Sequence, residues 1–301
     1  MPAILIASPE HLDGRTTAAV VIGHWFAAGE KKVSLVRLEG DRHAAGDAKL
    51  FASLPFNAAT NGEAVKPDDV PKRGTVVVEA PAGDARATAE ALKAKAVVVV
   101  AYADPIPADI PSFCEAFGDA CAGVIVTRVP VRREGETRAA LEAAGCPPLA
   151  LIPEDRTLAA PNLLAVAEAL EADATSLNSA AETVIDRPII SSISTDPAQA
   201  YVSQQGPNAV IVRSDKPDQQ LGALNAGVPC LIVTGGLPVL SYVLERAEAD
   251  DVPILQTSLE TAEAMERLEA LIGATPFSGA AKVERIGALA AGLDLSPLAA
   301  K

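Results

Sequence analysis

Asp13-Gly14-Arg15-Thr16-Thr17 is the stretch of this 301-residue chain best placed to do chemistry. It follows an apolar segment, Ile4 to Ala7, that reads as a buried strand. It precedes Thr16, Val20, Val21 and Trp25, whose spacing is that of a helix packed on a sheet. A strand-to-helix turn of this kind binds phosphate through inward-pointing N–H groups, a cation on the outer phosphates and a hydroxyl on Mg²⁺. Gly14 permits the tight turn, Arg15 carries charge and Thr16 a hydroxyl. Two departures weaken the loop. The planar fork of Arg15 does not replace a compact ammonium, and Pro9, five residues before Gly14, is not a glycine and has no N–H to donate. Asp13, Gly14, Arg15, Thr16 and Thr17 are the candidate anion-binding residues. Thr16, Glu79 at a strand end and Asp47 are the candidate Mg²⁺ ligands.

A second constellation lies further on. Asp215, Lys216, Asp218 and Gln219 follow one apolar strand, and Thr234-Gly235-Gly236 follows the next. Both turns should face one edge of a sheet. Two readings stand: a ligand pocket served by glycine amides, or a tight strand-to-helix turn at a subunit contact. Arg37, Glu39, Asp41, Arg42, His43 and Asp47 form a polar segment that reads equally as a ligand lip or a solvated loop. His11 reads as an exposed loop residue, His24 as packing or surface, and Asp104 as a strand-end carboxylate lying near the Gly14 loop. Cys114, Cys121, Cys146 and Cys230 lack CxxC spacing and read as buried, inert thiols. No nucleophile–base pair for covalent catalysis stands out.

These residues need rigid elements behind them. Short apolar strands are expected at Ile4–Ala7, Val33–Val36, Val76–Glu79, Val97–Ala101, Gly123–Thr127 and Leu149–Ile152, with helices between. That pattern describes a mostly parallel sheet with helices on both faces. Phe51 to Pro71 reads as loop with a short helix at most, 107–119 and 158–170 as helices, 197–205 as a short helix and 282–289 as a terminal helix. Strands at 209–212, 230–233 and 252–255 make a second, smaller α/β unit. With 49% hydrophobic but only 3% aromatic residues, the cores must be built from Val, Ile, Leu and Ala. A net charge of -14 argues against nucleic-acid and anionic-membrane partners. No run is long enough to span a bilayer, no secretory leader is evident, and reduced thiols point to the cytoplasm.

The motifs together resemble a known pair of domains. Gly14-Arg-Thr-Thr17, Val78-Glu-Ala-Pro-Ala-Gly83, Gly123-Val-Ile-Val-Thr-Arg-Val-Pro130 and Leu151-Ile-Pro-Glu-Asp155 resemble the dethiobiotin synthetase-like P-loop domain at the N-terminus of long bacterial phosphotransacetylases. Ser214-Asp-Lys-Pro-Asp-Gln219 and Leu231-Ile-Val-Thr-Gly-Gly236 resemble the DRTGG domain that follows it there. The resemblance implies a P-loop NTPase-like α/β domain over 1–160 and a DRTGG-like α/β domain with a terminal helix over 175–301. It sets Arg37 where the synthetases carry a catalytic lysine, adding it to the anion-binding candidates. It implies ATP and Mg²⁺ as the cofactors to test, and an acyl-phosphate-metabolising enzyme as partner. The expected role is a non-catalytic regulatory or scaffolding protein, a homo-oligomer with the dimer favoured, open to a nucleotide or small anion. The alternatives are a Mg²⁺-dependent ATP-using enzyme of the synthetase class and an oligomeric interaction module without a small ligand.

Overall fold

The computed structural model describes residues 3–29, 31–59, 61–191, 208–275 and 277–299. It divides into two compact units, Met1–Asp155 with Val283–Lys301, and Arg156–Lys282.

The first unit is built on six parallel strands, β1 (Ile4–Ala7), β2 (Val33–Arg37), β3 (Thr75–Glu79), β4 (Lys95–Ala101), β5 (Cys121–Val129) and β6 (Pro148–Pro153). Their order is β2-β3-β1-β4-β5-β6. The chain reverses direction across the sheet beside β1, which opens a crevice at its carboxyl end. Strand residues are apolar on both faces because both are covered. Leu5 and Ala7 join Val76, Val78, Val98 and Val124 in one cluster, while Ile4 and Ile6, alternating with them, are buried too. The helix after β1, α1 (Arg15–Ala28), buries Ala18 to Gly23 and Phe26. Next come α2 (Ala44–Ser53), α3 (Arg86–Leu92), α4 (Ile110–Glu115) and α5 (Glu134–Ala143). The last turns of chain return here: Trp25 Nε1 donates to Leu293 O at 3.1 Å and Arg285 Nε to Asp155 Oδ2 at 2.6 Å. The expected body 175–301 therefore loses its terminal segment to the first unit. Those two side-chain bonds tie it down.

The second unit has a five-stranded sheet in the order β7-β11-β10-β9-β8. Its strands are β7 (Asp173–Thr175), β8 (Ile189–Ile190), β9 (Val210–Arg213), β10 (Leu231–Thr234) and β11 (Ile254–Gln256); β7 alone runs antiparallel to its neighbour. Its helices are α6 (Arg156–Ala159), α7 (Leu163–Ala169), α8 (Leu177–Ala180), α9 (Pro217–Asn225), α10 (Ser241–Ala249) and α11 (Thr261–Leu271); most of α12 (Ala280–Ala290) and all of α13 (Ser296–Ala299) belong to the first unit.

Three local expectations change. The expected loop at Phe51–Pro71 begins later, because Phe51 to Ser53 close a helix, Ala44–Ser53, whose buried face is given by Phe51 and Ala48. The single helix expected at 158–170 is two, parted at Pro161, and Asn162 caps the second by accepting from Ala165 N at 2.9 Å. The helix expected at 107–119 is shortened to α4 plus a 3₁₀ turn at Gly118–Ala120. The helix expected at 197–205 lies outside the described residues.

Candidate functional site

The loop between β1 and α1 turns on Gly14, which has φ +90° and stands at the helix N-cap. A methyl group there would lie 2.9 Å from Thr127 Cγ2. Thr127 also donates to Asp13 O at 2.7 Å, which fixes the loop to the end of β5. Gly14→Ala therefore combines a left-handed backbone penalty with overpacking, about 2–4 kcal/mol. We expect a clear fall in the denaturant midpoint of the first unit, measured by urea unfolding. Asp13 is buried and accepts from Glu10 N at 3.0 Å and Ala101 N at 3.3 Å, so its carboxylate braces the loop from within. Burial raises its pKa in spite of those donors.

Arg15 opens α1, and its guanidinium is folded back into the loop rather than out of it. Nη1 donates to Ser8 Oγ and, at 2.8 Å, to the Glu10 carbonyl. Nη2 lies 3.7 Å from Asp41 Oδ2, and Nε lies 3.7 Å from Glu79 Oε1. Beneath it, Arg37 at the end of β2 is buried. Its Nη2 donates to Asp41 Oδ2 at 2.5 Å, Nε to Asp47 Oδ2 at 3.2 Å and Nη1 to Leu38 O at 2.7 Å. Thr16 donates to Glu79 Oε1 at 3.0 Å. Two guanidinium groups thus meet three carboxylates in one buried cluster.

That balance leaves one carboxylate too many, and the most buried one yields. Burial, then the charge of Asp47, push Glu79 up to about 7, against the pull of Arg37, Arg15 and Thr16. Burial also raises Asp47 despite its bond to Arg37. For Asp41 burial is outweighed by the bond and charge of Arg37, and its pKa falls. Arg15 Nε and Glu79 Oε2 are buried without a hydrogen-bond partner.

Glu79 and Asp47 do come together with Thr16, as expected for a metal site, but a guanidinium occupies their midst. Arg37 Nε is 3.2 Å from Asp47 Oδ2 and 3.6 Å from Glu79 Oε1. A divalent cation there would face that positive charge directly, so the set fits Mg²⁺ poorly. Among the described residues, no group of three or more His, Cys, Asp or Glu is arranged to hold a metal. Thr17 is half-buried on α1 and His11 is exposed. Asp104 is exposed and pairs with Arg133 at 3.4 Å. Asp41 belongs to the cluster although the sequence marks it only as one member of a polar segment.

In the second unit the turns after β9 and β10 do lie side by side, with Ser214 N donating to Thr234 O at 2.8 Å. Gly235 and Gly236 have φ +91° and +73°, which glycine alone adopts at ease. Their amides are spent, however: Gly235 N donates to Leu259 O at 2.9 Å and Gly236 N to Thr257 O at 3.2 Å. Thr234 is buried and shares a 2.9 Å bond with Thr261. Asp215 pairs with Arg213 at 3.0 Å, and Lys216, Asp215 and Asp218 are exposed while Gln219 is half-buried. The neighbouring Gln220, not singled out from sequence, is the buried member, tying Arg213 O at 2.9 Å and leaving Oε1 without a partner. The Thr-Gly-Gly segment is therefore a closed turn rather than an amide nest.

Residues 165–271 match the DRTGG domain. The matched residues take in β9 to β11 and the Thr-Gly-Gly turn, and the other unit has a P-loop-like, parallel sheet flanked by helices. Three solved structures are similar at low identity. The first holds the CBS and DRTGG domains of the regulatory region of Clostridium perfringens pyrophosphatase, complexed with its activator diadenosine tetraphosphate. It is 18% identical, with TM-score 0.32, over 39% of this chain and 51% of that one. This chain thus spans about half the length of that structure. The MinC:MinD cell division protein complex of Aquifex aeolicus is 19% identical, with TM-score 0.40, over 52% of this chain and 83% of that one. The septum site-determining protein MinD of Pyrococcus horikoshii OT3, complexed with Mg-ADP, is 20% identical, with TM-score 0.35, over the same shares.

Proposed function

We propose that this chain is a non-catalytic regulatory or scaffolding protein that acts on a metabolic partner enzyme. The observation that carries the reading is the direction of Arg15. The cation that a working phosphate loop presents to its nucleotide is here bonded to Ser8 and Glu10 of the same loop and set against Asp41 and Glu79. Phosphoryl transfer needs that charge on the transferred group, and moving it out would leave buried carboxylates uncompensated.

The partner we favour is an acyl-phosphate-metabolising enzyme of the phosphotransacetylase kind, as the shared motifs imply. Self-association is assigned to the second unit, where Leu237, Leu240, Tyr242 and Leu244 are exposed directly after the Thr-Gly-Gly turn. Reduced thiols support a cytoplasmic setting. Among the described residues no helix is long and apolar enough to cross a membrane. A second reading, a small anion held without metal, has in its favour the first N–H groups of α1 and the unpartnered Arg15 Nε.

The test is a rate measurement. Purified phosphotransacetylase should form acetyl-CoA at a rate that changes as the chain is titrated in, while the chain alone with ATP and Mg²⁺ releases no phosphate. An unchanged partner rate, or magnesium-dependent phosphate release by the chain, would overturn the proposal.

A further inference from the structure

Two residues other than glycine hold left-handed backbone at the carboxyl edge of the first sheet: Leu12, with φ +64°, in the loop after β1, and Arg128, with φ +58°, near the end of β5. Such backbone is costly for an L residue and persists only where its surroundings impose it. At Arg128 the cause is a bulge. Val126 is paired with Leu151 and Val129 with Pro153, so β5 carries one residue more than β6 across this interval. Arg128 is exposed between buried Thr127 and Val129, and its Nη2 donates to Leu12 O at 2.9 Å. The two strained residues are thus tied to each other.

That tie sets a basic and apolar lip on the edge of the sheet. Leu12 is 47% exposed. Val131, which opens a 3₁₀ turn after Pro130, is 70% exposed, the highest value for a large apolar side chain among the described residues. Arg132 is exposed beside it. Among the described residues, neither Arg128 nor Arg132 has a carboxylate at ion-pair distance. Arg133, next in the chain, is already bonded to Glu136 and lies 3.4 Å from Asp104.

We propose that this lip is a docking site for an acidic segment of a partner protein, with carboxylates on Arg128 and Arg132 and an aliphatic side chain against Leu12 and Val131. The charge balance selects that occupant. A chain of net charge -14 repels an acidic segment over most of its surface, so two guanidinium groups without carboxylates mark where one can land. Their planar forks bond carboxylates in pairs. The exposed apolar side chains add the desolvated contact that a purely ionic site lacks. The inference rests on the reading that the chain acts on a partner protein, and it assigns the first unit a contact of its own.

Fluorescence anisotropy of the full chain with a labelled glutamate-rich peptide carrying leucines tests the site. Two control peptides replace leucine by serine or glutamate by glutamine. The first peptide should bind about 10-fold or more tighter than either control, and added salt should weaken it. Arg132→Glu and Val131→Ser, both changes of exposed side chains, should each weaken binding about 10-fold. Arg128→Ala should do the same, and Arg246→Ala, in the second unit, should leave binding unchanged. Thermal unfolding reports whether each variant is folded. No binding of the first peptide, equal affinity for all three, or equal affinity of wild type and the lip variants would overturn the proposal. So would tighter binding of a single-stranded oligonucleotide at the same arginines, or a change of oligomeric state in Val131→Ser, which would give the lip to nucleic acid or to a second copy. The assay contains no enzyme, so its failure would remove this site and leave the phosphotransacetylase rate to judge the regulatory role.

Discussion

Arg37→Ala is expected to destabilise the first unit by about 3–5 kcal/mol, the range for removing one partner from a buried ion cluster. The substitution strips the guanidinium from Asp41, Asp47 and the Leu38 carbonyl and leaves three buried carboxylates facing only Arg15. For a unit of this size the loss corresponds to a fall in unfolding temperature of roughly 10 °C. Arg37→Lys keeps the charge but not the fork that bonds Asp41 and Asp47 at once, so it should fall between wild type and alanine. Arg86→Ala, which removes an exposed pair with Asp84, should leave the transition where it was. Calorimetry on the three variants checks the series. An Arg37→Ala protein as stable as wild type would mean that the cluster is not the buried core of the site.

Glu79→Gln should reverse the usual cost of altering a buried charge. In the folded chain Glu79 holds its proton up to about 7, against an ordinary value of 4.5. Between those values the native state binds more protons than the unfolded chain, so stability falls as pH rises from about 4.5 to about 7 and levels off above. The slope amounts to roughly 3 kcal/mol across that window. Glutamine keeps the shape and the bond with Thr16 but cannot ionise. The variant should therefore lose most of that slope relative to wild type and be the more stable protein at pH 8, by about 2 kcal/mol. Urea denaturation of both proteins at several pH values measures it. Parallel pH profiles would show that Glu79 is ionised throughout and that Arg15 and Arg37 are fully paired without it.

The parts of this architecture that can be read from the sequence share one property: their signal is local. Ile4–Ala7, Val76–Glu79 and Leu231–Thr234 are short apolar runs closed by polar turns, and a strand end next to Gly14-Arg-Thr-Thr17 puts Glu79 and Thr16 within a hydrogen bond of each other. What escapes the sequence is set by the return of the chain. Asp41 is four residues from Arg37 and looks solvated, yet the course of 38–47 folds it over the guanidinium. The helix Ala44–Ser53 carries Gly46 and a weak apolar stripe, so only its packing through Phe51 declares it. The edge strands Asp173–Thr175 and Ile189–Ile190 are too short for any period to show. The approach of Cys146 to Cys114, 3.2 Å between sulfurs, is invisible in sequence because α4 and the turn before β6 have to be assembled first. Glycine patterns mislead in the other direction: Thr234-Gly-Gly236 resembles an amide nest, and the carbonyls of Thr257 and Leu259 have already filled it.

An Arg15 that stays with Ser8, Glu10, Asp41 and Glu79 has no charge to lend a nucleotide. Isothermal titration of the full chain with ATP, with and without Mg²⁺ and beside Arg15→Ala, tests it most directly. Wild type is expected to give no magnesium-dependent heat. Micromolar binding that requires magnesium and disappears in Arg15→Ala would contradict it, because Arg15 would then have to leave Ser8, Glu10, Asp41 and Glu79 to meet the phosphates.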